Sequence, residues 1–142
     1  MKTRVLFVCT GNICRSAFAE VAARSLFDGG RFAFSSAGTH AVRGDAATPR
    51  MQIVASEHEL DLSTHRATPL DAPGQPDVVF GMEQRHLNAA RTQFPDLDAS
   101  HIRLLDHPNA IVDPYGLDMR SYRTTARHIE SALTALDLAS FR

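Results

Sequence analysis

The sequence has almost no net charge, only two cysteines and no long apolar run, and each shortage closes off a class of protein. Lysine and arginine number 15 against 16 aspartate and glutamate, a formal net charge of -1. No broad electrostatic field then favours nucleic acid or an anionic lipid surface, so any anion site must be local. Cys9 and Cys14 lie close together near the N-terminus, whereas a disulfide framework needs several bridges spread along a small chain. A reducing, cytoplasmic setting is expected. Met1 to Arg4 followed by Val5-Leu6-Phe7-Val8 has the charge of a signal peptide's first segment, but the apolar run is too short and no small-residue cleavage site follows. No segment is apolar enough over its length to span a bilayer, so no membrane insertion is expected.

What the chain does contain is enough apolar material for one core. Its 142 residues are 44% hydrophobic, in the range of a single domain spanning 1–142. Val5 to Val8 is a continuous apolar run without alternation, as a strand buried on both faces of a parallel sheet requires. From Ser16 to Phe27 the apolar positions Phe18, Val21, Ala22 and Leu26 recur at helical spacing before Gly29-Gly30. Phe32 to Ala37 reads as a second strand, and Thr48-Pro49 supplies a cap and first-turn proline for a helix reaching about Glu59. Asp77 to Gly81 is a third strand, followed by a helix with Leu87, Ala90 and Phe94 on one face until Pro95. Ile102 to Leu105 makes a fourth strand. Met119, Tyr122, Ala126, Ile129, Leu133 and Leu136 step by three and four along a last helix. The alternation predicts an α/β fold, a three-layer open twisted sheet of four parallel strands with helices on both faces. Ligands of such sheets gather at the carboxyl ends of the strands.

The segment Cys9-Thr10-Gly11-Asn12-Ile13-Cys14-Arg15-Ser16 occupies such an end, between the first strand and the first helix. A loop there offers backbone N–H groups and the positive end of a helix dipole to an oxyanion, so it is expected to be a phosphate-binding loop. Gly11 and Asn12 tolerate the left-handed backbone that a concave loop needs. Arg15 adds a planar fork matched to two phosphoryl oxygens. Under such donors Cys9 is favoured as a thiolate nucleophile, and Ser16 can donate a hydrogen bond to its sulfur. The bland reading of Cys9 is a small buried hydrophobe, but Gly, Asn, Arg and Ser around it each supply a separate element of an anion site. Breaking a phosphate ester also requires a proton for the leaving oxygen. Asp113, in Asp113-Pro114-Tyr115-Gly116 after the fourth strand, is placed to give it, and Tyr115 to wall the cleft. Asp-Pro is otherwise a common turn former; the cysteine loop makes the acid reading preferable. No histidine and cysteine spacing makes a zinc site, so neither metal nor cofactor is expected.

With V-C-T-G-N-I-C-R-S near one end and D-P-Y near the other, the chain resembles the low-molecular-weight protein tyrosine phosphatase family. The resemblance extends to Ser36-Ala37-Gly38-Thr39 and His65-Arg66-Ala67. It implies hydrolysis of phosphotyrosine through a phosphocysteine intermediate, with Cys9 as nucleophile, Arg15 as phosphate clamp and Asp113 as general acid and base. It further implies substrate contacts from Thr10, Gly11, Asn12, Ile13, Cys14, Ser16 and Tyr115, and supporting hydrogen bonds from Ser36 and His65. Inorganic phosphate is then the product, a tyrosine-phosphorylated protein the partner, and a reversible Cys9–Cys14 disulfide a means of protection. Ile13 matches members acting on phosphotyrosine, where phosphoarginine phosphatases tend to carry threonine. Residues 36 to 44 are similar to bacterial members paired with autophosphorylating tyrosine kinases of exopolysaccharide export. Three positions depart from the usual pattern: Ala17 in place of proline, Thr68 in place of arginine, and His40 with Val42 in place of a large aromatic wall.

Two other functions compete. Arsenate reduction uses a similar loop, but it needs further cysteines to pass a disulfide outward and none follows Cys14. A binding module that only captures phosphotyrosine would need neither a thiolate nor an acid. A dinucleotide site is disfavoured because neither G-x-G-x-x-G nor a Walker sequence follows the first strand.

Overall fold

The computed structural model describes residues 1–141. Four parallel strands, β1 (Thr3–Cys9), β2 (Phe32–Gly38), β3 (Val78–Gly81) and β4 (Ile102–Leu104), form one sheet in the order β2-β1-β3-β4. β1 is therefore central, and the chain leaves it toward β2 on one side and later returns to β3 on the other. That reversal opens a crevice at the carboxyl ends of β1 and β3. The residues after Cys9 stand at its mouth.

Four helices, α1 (Arg15–Leu26), α2 (Pro49–Glu57), α3 (Gln84–Gln93) and α4 (Met119–Ala135), cover the sheet unequally. The period of two along β1 divides its side chains between two cores. Val5, Phe7 and Cys9 face the larger, shared with Phe18 of α1, Met51 of α2 and Ile129 and Leu133 of α4. Leu6 and Val8 face the smaller, shared with Leu87, Ala90 and Phe94 of α3 and with Leu70 of the long return to β3. Phe7 stacks between Phe34 and Phe80, at ring-centroid distances of 6.0 and 6.1 Å. Burying each such aromatic or branched side chain contributes about 1.5–3 kcal/mol, which fixes β2, β1 and β3 against one another and so the loop that grows from β1.

The expected elements are all present, with shifted ends. β1 extends two residues earlier and takes in Cys9, because Cys9 pairs with Gly38 in the ladder. Two short 3-10 turns, Ala99–His101 and Leu138–Phe141, were not legible as periodic patterns. Leu26, expected on the buried face of α1, is exposed, and Ala19 and Ala23 are buried instead. Small side chains let α1 approach closely, which moves the contact stripe away from Leu26. No helix among the described residues is long and apolar enough to cross a membrane.

Gly38, at the end of β2, is where the second strand touches the loop after β1. An added Cβ would lie 2.5 Å from the Thr10 carbonyl oxygen and 2.9 Å from the Asn12 nitrogen. Both neighbours are backbone and cannot swing aside. Gly38→Ala should therefore destabilise the protein by about 1–3 kcal/mol and displace the loop, measured as a lower urea midpoint together with weaker inorganic phosphate binding. A variant with wild-type values for both would show that the strand end is not a fixed support.

Candidate active site

The loop from Cys9 to Arg15 is turned with its carbonyls outward. The Thr10 carbonyl accepts from the His40 N–H at 2.9 Å and the Ile13 carbonyl from the Thr48 N–H at 3.0 Å. The Asn12 carbonyl accepts from His65 Nε2 at 2.6 Å. In a trans peptide N–H and C=O point in opposite directions, so the N–H groups of Gly11, Ile13 and Cys14 face the inner side of the loop, where these residues line one cleft with Cys9. Helix α1 begins directly after, and no side chain caps its N-terminus, which leaves its first N–H groups for an anion. Asn12 carries the turn with φ 57°. Of the two residues that tolerate a left-handed backbone, Asn12 adopts it and Gly11 does not.

Asn12 is completely buried and uses every hydrogen-bonding atom of its side chain. Its Nδ2 donates to Ser16 Oγ at 2.8 Å and Ser36 Oγ at 2.9 Å, while Oδ1 accepts from the Thr68 N–H at 2.9 Å. Ser36 Oγ in turn donates to Glu20 Oε1, 2.5 Å away. Because Ser16 Oγ accepts from Asn12, its hydrogen is free to be donated. The nearest acceptor is Cys9 Sγ at 2.9 Å; the Ala37 carbonyl stands farther, at 3.4 Å. The Ser16 N–H adds a longer contact to the sulfur at 3.5 Å. Ser36 and His65 thus meet at Asn12, and the same network takes in Thr68, one of the positions that depart from the family pattern, and Glu20, which the sequence reading did not single out. The Thr68 contact is made by backbone, so the replacement of arginine there leaves the support intact.

Arg15 is 1% exposed. Its Nη1 donates to Glu83 Oε2 at 2.7 Å and to the Ile111 carbonyl at 2.8 Å, and its Nη2 lies 3.6 Å from Asp113 Oδ2. Nε is buried without a partner among the described residues. An unpaired buried donor costs free energy, and here Nε and Nη2 together form the fork that fits two oxygens of a phosphoryl group. Glu83 is a residue that sequence reasoning missed. The available signal was its place directly beyond β3, at the ligand edge, with His86 three residues on as the other half of a capping box.

Asp113 is half exposed and held by the Tyr115 N–H, which donates to Oδ1 at 3.1 Å. Cys9, Thr10, Gly11, Ile13, Cys14, Arg15, Asp113 and Tyr115 line one cleft of about 180 Å³. Ile13 and Tyr115 give it apolar walls, and Cys9 lies within it at 2% exposure. Cys9 and Cys14 are both free thiols. Burial pushes the Cys14 thiol up to about 11 against weaker opposing hydrogen bonds with Thr48 and Tyr122, so Cys14 stays a neutral thiol near pH 7. A larger polar cavity of about 390 Å³ opens beside Ser36 and His65, and no cysteine lies among the residues that line it.

This geometry agrees with what is found among known proteins. Residues 4–140 match the family described as low molecular weight phosphotyrosine protein phosphatase. The chain belongs to this family. A low molecular weight protein-tyrosine-phosphatase of Streptomyces coelicolor is 34% identical over 158 aligned positions, covering 100% of this chain and 95% of the relative. The tyrosine phosphatase Wzb from Escherichia coli K30, solved in complex with sulphate, superposes with a TM-score of 0.80 at 30% identity, over 94% of this chain and 95% of that one. The YwlE arginine phosphatase of Geobacillus stearothermophilus superposes with a TM-score of 0.81 at 26% identity, over 93% and 88%.

The Arg15–Glu83 pair gives the site a pH signature. Partial burial would raise the Glu83 carboxyl, but hydrogen bonds from Arg85 and Arg15 outweigh it and lower it from 4.5 to about 2. A carboxyl depressed on folding contributes stability in full above about pH 4.5, and loses it as the pH falls toward 2. Between these limits the urea midpoint of wild type should fall more steeply with acid than that of Glu83→Gln. Parallel curves would show that the pair does not couple folding to protonation.

Proposed function

We propose that this chain, as one domain over residues 1–142, hydrolyses phosphotyrosine in proteins through a phosphocysteine intermediate. The observation that carries the reading is the Cys9 sulfur, placed in one cleft with the loop's N–H groups and with a buried arginine whose Nε has no partner among the described residues. The phosphoryl oxygens take those N–H groups and the Arg15 fork, and the cysteine thiolate attacks phosphorus opposite the phenolic oxygen. As the P–O bond to the ring breaks, Asp113 gives its proton to the leaving phenolate. The same carboxylate then takes a proton from water, whose oxygen attacks phosphorus and breaks the S–P bond. Inorganic phosphate leaves, and the hydrogen bond from Ser16 stabilises the departing thiolate.

The depth of the sulfur favours an aryl ester over phosphoserine, because Ile13 and Tyr115 flank the entry where a phenyl ring would lie. Phosphoarginine is the second reading, carried by the likeness to an arginine phosphatase. Isoleucine at position 13 speaks against it, since its side chain is apolar where the guanidinium of phosphoarginine would have to be accommodated. The partner we infer is a tyrosine-phosphorylated cytoplasmic protein, with an autophosphorylating bacterial tyrosine kinase of exopolysaccharide export as the particular candidate. Its support is the similarity of residues 36 to 44 to members of that kind.

Two substitutions test the chemistry. Cys9→Ser should abolish turnover of phosphotyrosine peptide while still binding inorganic phosphate; appreciable turnover would remove the nucleophile assignment. Asp113→Asn should lower hydrolysis of phosphotyrosine by about 10²–10⁴-fold, and much less that of an aryl phosphate with a very good leaving group. Equal losses on both substrates would remove the acid. Wild type should release phosphate from phosphotyrosine faster than from phosphoarginine, and the reverse order would favour the second reading.

A further inference from the structure

His86 is completely buried, although it lies in the first turn of α3, at the edge of the cleft. Both ring nitrogens are used. The Glu83 N–H donates to Nδ1 at 3.0 Å, and Nε2 lies 3.0 Å from Thr10 Oγ1. A nitrogen that accepts from a backbone N–H carries no proton, so the ring is the neutral tautomer with its hydrogen on Nε2. That hydrogen is donated to Thr10 Oγ1. Burial, the largest cause, together with the nearby Arg15 cation, pushes the imidazole down to about 4, so it stays neutral near pH 7.

The consequence falls on Thr10. A hydroxyl that accepts from the ring cannot direct its own hydrogen back at Nε2, and Oγ1 has no other partner among the described residues. Thr10 lines the cleft next to Cys9 and Gly11. We infer that the Thr10 hydroxyl is a further donor to the phosphoryl group, with its hydrogen turned into the cleft because neutral His86 occupies its lone pair. His86 acts through Thr10 and is a positioning residue; Thr10 is the group that touches the ligand. The arrangement also joins the two sides of the site. His86 holds the N–H of Glu83, whose carboxylate grips Arg15, so one buried ring sets a donor on the loop and steadies the anchor of the clamp. The inference rests on the phosphatase reading of the same cleft.

The experiment is a double-mutant cycle on Thr10→Val and His86→Met, reading competitive inhibition by inorganic phosphate and kcat/KM for a phosphotyrosine peptide, with melting temperatures for each variant. Thr10→Val removes the hydroxyl and keeps the shape, and it should weaken phosphate inhibition by about ten-fold, as loss of a hydrogen bond to a charged group does. Thr10→Ser should lose less than Thr10→Val. His86→Met should weaken phosphate further than its change in melting temperature accounts for, and His86→Gln, whose amide can still donate, should recover part of the loss. In the double variant the two losses should not add. Unchanged phosphate inhibition in Thr10→Val, or full additivity in the cycle, would overturn the inference. Absence of turnover in wild type would instead overturn the phosphatase reading on which it rests.

Discussion

Everything at the cleft depends on one left-handed residue whose side chain is held on every atom. Asn12 turns the chain at φ 57°, a conformation that costs most residues about 1–2 kcal/mol. It is fixed by two donations from Nδ2, one acceptance at Oδ1 and one at its carbonyl. These partners come from α1, β2 and the segment 65–68, so three separate parts of the fold define one backbone angle. The turn sends carbonyls out and N–H groups in. Without it the loop would present the sulfur with oxygen dipoles, which repel both a thiolate and a phosphoryl group.

The same bonds order the protons. Asn12 donates into Ser16 Oγ, which leaves the Ser16 hydrogen for the sulfur, and donates into Ser36 Oγ, which leaves the Ser36 hydrogen for Glu20. Each hydroxyl has one hydrogen, so an upstream donor decides where it goes. An amide that offers two hydrogens can set two hydroxyls, whereas an aspartate at position 12 would only accept and would reverse both. The choice of asparagine is therefore a matter of proton direction as well as of backbone angle.

The ligand loop was legible because its chemistry is continuous in sequence. Cys9, Asn12, Arg15 and Ser16 lie within eight residues, and the strand before and helix after them carry clear apolar patterns. Asp113 was reachable because the fold rule places it at the same sheet edge. Glu83, His86 and Glu20 were harder, since each works through a partner 16 to 76 positions away. A charged residue in the first turn of a helix reads as a cap, and Glu83 with His86 is a cap; its second use, gripping Arg15, depends on β3 lying beside β1. The buried face of α1 was misjudged for a related reason. Ala19 and Ala23 carry little weight in a periodic pattern but permit the close approach to the sheet, and this leaves Leu26 outside.

Arg15 shows how stability and binding are divided within one side chain. A guanidinium at 1% exposure would be expensive to bury alone. Its Nη1 is satisfied by a carboxylate and a carbonyl of the protein itself, which keeps the group folded in whether or not an anion is present. Only Nε and Nη2 are left for the ligand, and Nη2 faces a carboxylate 3.6 Å away that is also the proposed acid. A dianionic phosphoryl group entering between them must compete with Asp113 for the same guanidinium nitrogen. Binding thereby trades the Arg15–Asp113 contact for contacts to the phosphoryl oxygens. The clamp and the proposed acid are coupled by geometry, because both meet at the same guanidinium nitrogen.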